Sequence, residues 1–288
     1  MPVIQWFPGH MAKARRILQE NAPLVDVVLE IVDARCPLAS RNPDLMRLVA
    51  QKPQVLILNK ADLADPAATR AWVERLSEPG RPAVALDAVK GTGAREVLAA
   101  VRRAFGPVLE AWTAKGRKPR PARVMAVGIP NVGKSSVINR LAGARRAHVG
   151  DRPGVTRGKQ WIRIGADVEL LDMPGILVPK FDDPRDGVLL AAVGCVKDEV
   201  FDRRAVAAEL LTLIYEPLAP TLAERLGLTR LDPEPENNLA AVARHRGLLR
   251  AGEQVDLDAA AALVLREFRE GRLGRVSLQT PCPPSTKL

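Results

Sequence analysis

The chain has 288 residues, 47% apolar but only 3% aromatic, with a net charge of +10. That length suits a domain of about 150–200 residues with a smaller companion, cored mainly on Leu, Val, Ile and Ala. No run nears the ~18 uninterrupted apolar residues of a membrane span, and no signal-peptide pattern opens the chain. Three scattered cysteines (Cys36, Cys195 and Cys282) argue against a disulfide framework or a zinc knuckle and for a reducing, cytoplasmic setting.

The charge is uneven: between Arg102 and Arg163 there are 15 Lys/Arg against 2 Asp/Glu, and the remainder is slightly negative. Such a window is either a solvated surface or the footprint of a polyanion larger than a nucleotide, for which RNA is the natural candidate.

In chain order, Met11, Ala14, Ile17 and Leu18 share one face of a helix expected over 10–22, which Pro23 stops. Asp26 to Ala34 is an apolar run of the kind that forms a buried parallel strand. After the turn-rich CPLASRNP come a short helix from Asp44 to Ala50 and a second buried strand from Gln54 to Lys60. A helix from Pro66 to Leu76, a strand over Ala83 to Ala88, a glycine turn at 90–93 and a helix from Ala94 to Phe105 complete the first half. This alternation implies a mostly parallel sheet. Residues Lys115 to Arg123 read as a linker. A strand, VMAVG, then leads into a helix from Lys134 to Ala142, and two strands follow, joined tightly at Gly165. Beyond Pro184 the pattern is helical only, with helices expected over Ala205–Tyr215, Ala219–Leu226, Leu239–Gly247 and Asp258–Gly271. The expected domains are therefore 1–182 and an all-α unit, 183–288.

Three short motifs carry chemistry. GIPNVGKSS (Gly128 to Ser136) sits between a strand and a helix, the context of a phosphate loop. Gly128, Asn131, Val132, Gly133 and Ser136 are expected to wrap the phosphates with backbone N–H groups. Lys134 reaches the β- and γ-phosphates, and Ser135 ligates Mg²⁺. NKAD (Asn59 to Asp62) stands at the tip of a strand. A carboxylate at Asp62 accepts from guanine N1–H and N2–H₂, Asn59 contacts N7, and the stem of Lys60 lies across the ring; adenine lacks that paired donor edge, so GTP is expected over ATP. In DMPG, Asp172 holds Mg²⁺ through water and the Gly175 N–H senses the γ-phosphate. Thr156, in PGVTRG, is either an ordinary loop threonine or the switch hydroxyl that closes on Mg²⁺.

In most GTPases the base-reading motif follows the phosphate loop; here it precedes it. In that permuted order, and in WFPGHMAKA (Trp6 to Ala14), DARCPLASRNP (Asp33 to Pro43), NKAD, GIPNVGKSS, PGVTRG and DMPG, the chain resembles the circularly permuted GTPases, most closely the ribosome biogenesis GTPase A (YlqF) family. The resemblance implies an α/β P-loop GTPase with a mostly parallel sheet, helices on both faces and a C-terminal all-α domain that engages ribosomal RNA. It implies GTP hydrolysis to GDP in late assembly of the large ribosomal subunit, stimulated by that particle. The alternative is a GTP-dependent RNA-binding switch in which hydrolysis is incidental. The second base-side motif aligns with Asp87-Ala88, without the family's serine, so a backbone N–H at Ala88 is left to meet guanine O6.

Ile176 occupies the position where Ras-like enzymes carry a water-orienting Gln. His10 resembles the family's proposed catalytic histidine, although on its residues alone it reads equally as a helix cap or packing group. With Lys134 and Thr156 it completes the expected catalytic set. Asn131 resembles the asparagine by which related GTPases bind K⁺. In the tail, Arg266, Arg269, Arg272 and Arg275, with Arg244, Arg246 and Arg250, form either an RNA-contacting or a solvated face. The free protein is expected to be a monomer and to have no membrane partner.

Overall fold

A computed structural model of the chain describes residues 9–143, 160–172 and 183–281. Six strands form one sheet: β1 (Val27–Asp33), β2 (Gln54–Asn59), β3 (Ala83–Leu86), β4 (Ala122–Val127), β5 (Gln160–Ile164) and β6 (Val168–Asp172). Their order is β3-β2-β1-β4-β6-β5. Every neighbouring pair is parallel except the hairpin β5–β6. Burial along all seven residues of β1 and all six of β2 is what a continuous apolar run requires when helices cover both faces.

On one face lie α1 (Gly9–Asn21), α2 (Pro43–Leu48) and α3 (Pro66–Leu76), packed on Val28, Val32, Leu56, Leu58, Met125 and Leu171 through Leu18, Met46 and Trp72. On the other lie α4 (Ala94–Thr113) and α5 (Lys134–Ala142), packed on Val27, Leu29, Ile31, Val124, Ala126 and Leu170. The chain leaves β1 toward β2 and β3, returns along α4 to β4, then passes to the edge strand β5 and turns back to β6 between β5 and β4. Strand order therefore reverses between β1 and β4. A crevice opens there, outside the carboxyl ends of the strands, where ligands bind in open α/β sheets.

Four helices follow: α6 (Pro184–Ala192), α7 (Arg203–Leu226), α8 (Pro235–His245) and α9 (Leu257–Arg269). Asp183, Asp202 and Asp256 each cap a helix by accepting first-turn N–H groups. Their apolar faces join the α4–α5 face of the sheet in one contiguous core. By length and composition α7 could cross a membrane; here it is the central helix of this bundle, with Val206, Leu210, Ile214, Leu218 and Leu222 buried.

Four sequence expectations change. α4 runs on to Thr113 through Pro107, and α7 is one helix through Pro217 and Pro220. α6 was not anticipated. Most of the tail arginines meet internal partners: Arg269 pairs with Asp198 and donates to Ala191 O and Ala192 O. Arg246 pairs with buried Glu267, Arg250 with Asp256 and Asp258, and Arg272 with Glu270.

Candidate functional site

Between β4 and α5 the chain crosses the carboxyl end of the sheet so closely that a Cβ on Gly128 would lie 2.5 Å from Ile31 O. Gly133 has φ +92°, and a Cβ there would collide with Asn59 Nδ2, so only glycine fits. Asn131 is also left-handed, with φ +60°. The N–H groups of Asn131, Val132 and Gly133 have no acceptor among the described residues. With the N-terminus of the nine-residue α5 behind them, they form a cradle for an anion. Lys134 is buried and donates from Nζ to Ile129 O at 3.2 Å. Ser135 and Ser136 are half-buried in the first turn.

The NKAD motif meets this loop directly. Asn59, at the tip of β2, donates from Nδ2 to Val132 O at 2.8 Å, and its buried Oδ1 has no partner among the described residues. Lys60, held at φ +59°, donates from Nζ to Asn131 O at 2.8 Å. Asp62 is half-buried, and its carboxylate has no partner among the described residues. Asp87 accepts from Val89 N and Lys90 N at 2.8 and 2.9 Å, which shapes a tight turn and leaves the Ala88 N–H without an acceptor among the described residues. Arg140, from the phosphate-loop helix, donates to Ala88 O and Val89 O and pins that turn beside the same crevice.

DARCPLASRNP bolts the crevice to the helical tail. Arg35 is 1% exposed and grips Asp33 with Nε and Nη2 at 2.9 and 2.8 Å. It also donates to Val193 O at 3.3 Å and lies over the Phe268 ring. Lys60 reaches the same Asp33 at 3.0 Å. Burial alone would raise the Asp33 carboxyl, but the Arg35 guanidinium and Lys60 ammonium hold it well below the usual carboxylate range. Beside it, burial pushes the Cys36 thiol well up and the Cys195 thiol up to about 11, so both stay protonated and unreactive. Asn131 Nδ2 donates to Gly194 O at 2.9 Å, a second bolt to the tail.

A strap over residues 275–279 completes the lacing. Arg275 donates to Ala61 O and Ala64 O at 2.9 and 3.1 Å, and Val276 N to Leu63 O. Leu278 N and Gln279 N donate to Arg35 O, while Gln279 Oε1 accepts from Leu38 N and Ala39 N. The last residues of the described tail thus hold the loop expected to read the base.

Of the remaining expected residues, Asp172 closes β6 and His10 is the second residue of α1; their side chains lie outside what is described. Thr156 and Gly175 lie outside the described residues altogether.

A family model described as 50S ribosome-binding GTPase matches residues 123–214. Ribosome biogenesis GTPase A of Bacillus cereus is 44% identical over 279 residues, covering 97% of this chain and 94% of that one. The chain belongs to the ribosome biogenesis GTPase A family. The Thermotoga maritima protein of the same name is 33% identical, covering 96% of this chain and 95% of that one. The GNP-bound crystal structure of YlqF from T. maritima superposes with a TM-score of 0.66 at 28% identity, covering 94% of this chain and 100% of that one. The match to the ribosome biogenesis GTPase A family thus spans both the sheet and the helical tail, and the permuted α/β fold with C-terminal helices is that of a solved member.

Within this chain, sequence reasoning missed Arg35, Arg140, Arg275 and Gln279 as groups that position the site. DARC drew attention only through resemblance, and nothing local marks the others. The donor set suits Mg²⁺, since a Ser135 hydroxyl beside an N–H cradle offers a hard oxygen next to bound phosphate.

Proposed function

We propose that this GTPase binds GTP·Mg²⁺ in the crevice between β1 and β4 and hydrolyses it while engaged with the assembling large ribosomal subunit and its RNA. The observation that carries the reading is the junction of Asn59 with Val132 and Lys60 with Asn131, which holds the two motifs side by side, as sharing one ligand requires, although some 70 residues separate them. Residues 1–182 form the GTPase part and 183–288 the helical part in this reading. The protein works in the cytoplasm and is monomeric when free.

The chemistry follows from charge. The free N–H groups of Asn131, Val132 and Gly133 take the phosphates. Lys134 leaves Ile129 O for the β- and γ-phosphate oxygens, where charge builds as the terminal bond breaks. Ser135, Thr156 and Asp172 hold Mg²⁺, which when bound supplies further positive charge against those oxygens. Gly175 N–H senses the γ-phosphate. Asp62 accepts from guanine N1–H and N2–H₂, Asn59 contacts N7, and the Ala88 N–H, freed by the Asp87 turn, donates to O6. Asn131 donates its Nδ2 to Gly194 O, so its Oδ1 is the atom offered to K⁺. His10 orients the attacking water in place of the glutamine that Ile176 replaces. His10 and Thr156 come from separate segments, so the full constellation assembles on the partner and basal turnover is slow.

The test is GTP turnover with immature and with mature large subunits. Stimulation by one of them and not by small subunits is expected. Equal rates with no subunit, small subunits and large subunits would overturn the proposal.

A further inference from the structure

The basic window of the sequence is only partly absorbed by the nucleotide site. Much of it comes to the surface at the opposite pole of the sheet, where β1, β4 and β6 begin. The six residues of β4 put roughly 15–20 Å between that pole and the phosphate loop. α4 runs down to this pole and ends beside Trp112; the segment before β4 and the β5–β6 hairpin lie next to it, since Ala122 N donates to Asp167 O.

Most carboxylates at this pole are already neutralised. Asp26 is held by Arg120 at 2.7 and 3.0 Å, Glu169 pairs with Arg123, and Asp167 pairs with Arg102. Five further cations (Arg103, Lys115, Arg117, Lys118 and Arg163) are exposed with no carboxylate partner among the described residues, against one unpaired acid, Glu110. Two tryptophans stand close by, Trp112 at the end of α4 and Trp161 at mid-height of the sheet, in register with Leu171 and Met125. Trp112 lies under Arg117 and Arg120, at 5.5 and 4.1 Å from ring centre to guanidinium. Trp161, 36% exposed on the edge strand β5, lies beside Arg123 at 5.3 Å.

We propose that this pole is a docking surface for single-stranded RNA, distinct from the helical tail. The inference rests on the ribosomal reading above and names where the RNA is gripped. An excess of cations spread along a linker and a sheet edge tracks a phosphate backbone, while the Trp161 ring on β5, the edge strand among the described residues, and the Trp112 ring at the end of α4 give unpaired bases faces to stack on. An acidic peptide would match the charge but not the rings. The tail is the weaker candidate because Arg246, Arg250 and Arg269 are spent on internal carboxylates.

The experiment uses the full chain, a labelled single-stranded oligoribonucleotide and, in parallel, cosedimentation with large ribosomal subunits. In the triple variant Arg117→Gln, Lys118→Gln, Arg163→Gln, the slope of log affinity against log salt should flatten by about 2, at ~0.7 per lost phosphate contact. Trp161→Ala should weaken binding roughly tenfold with the slope unchanged. GDP affinity and basal turnover should stay at wild-type levels in both, since neither touches the crevice. If wild type binds RNA and subunits but the variants bind equally well, this surface is wrong while the ribosomal reading stands. Wild type binding polyglutamate as tightly as RNA would also overturn the surface. If wild type binds neither RNA nor subunits, the ribosomal reading falls with it.

Discussion

Replacing Arg35 with methionine tests whether the bolt between crevice and tail is an energetic unit. Methionine keeps a flexible stem against Phe268 but removes the guanidinium, and with it two charge-assisted bonds to Asp33 and one to Val193 O. Asp33 remains fully buried with Lys60 as its one remaining cation. Breaking a buried pair from one side costs about 3–5 kcal/mol, and the surviving Lys60 contact puts the expected loss near 3 kcal/mol. The sign with pH is specific. In wild type the native Asp33 pKa is lowered, so the pair's contribution is present above the unfolded value of 3.8 and is lost only as pH falls through the depressed native value. In the variant, burial dominates and the native pKa rises above the unfolded one. The penalty is then absent below the unfolded value and grows as pH rises through the native value. Urea denaturation at pH 7 and pH 5, following tryptophan fluorescence, should show a larger deficit at pH 7. A loss under ~1 kcal/mol at pH 7, or a deficit that grows on acidification, would refute the reasoning. Asp33→Asn combined with Arg35→Met should recover part of the loss, because the stranded charge is gone.

Gly133→Ala should cost about 1–3 kcal/mol from the left-handed backbone and the collision with Asn59, and should abolish detectable nucleotide binding in a fluorescent-GDP titration. Arg275→Ala removes two hydrogen bonds from the loop at 61–64; GDP affinity should fall roughly tenfold, at about 0.5–1.5 kcal/mol per bond, and an unchanged Kd would deny the strap any hold on the base. His10→Ala should lower subunit-stimulated turnover by roughly 10²-fold with little loss of GTP affinity; unaltered turnover would remove His10 from the mechanism. Turnover should be faster in K⁺ than in Na⁺, and equal rates would dismiss Asn131 as a cation ligand.

Most of the architecture was legible because its signals are local. α3 and α5 begin and end where Asp65-Pro66 and the two flanking glycines say they should. The errors have physical causes. Pro107 and Pro217 read as stops and Pro220 as lying in the first turn of a new helix, yet each lies on an exposed face, so the carbonyls they orphan on Arg103, Leu213 and Glu216 meet water and the helices continue. α6 escaped notice because Gly187 to Ala192 are all buried, leaving no polar face to betray a period. At the crevice, the glycines, Lys134 and NKAD announce themselves through spacing. The groups that hold them do not, because Arg35 meets Val193 and Gln279 meets Leu38 across 158 and 241 positions, and no window of sequence spans such a pairing.

The strap has a temporal corollary. The loop at 59–64 is translated some 211 to 214 positions ahead of Arg275, which opens the strap that fastens it. A nascent chain folds from its N-terminal end as it leaves the tunnel, so the sheet can assemble while its purine pocket is still unfastened. Firm capture of guanosine nucleotides then waits for the strap, and a translation product stopped short of Arg275 would carry every recognisable motif yet hold its ligand weakly.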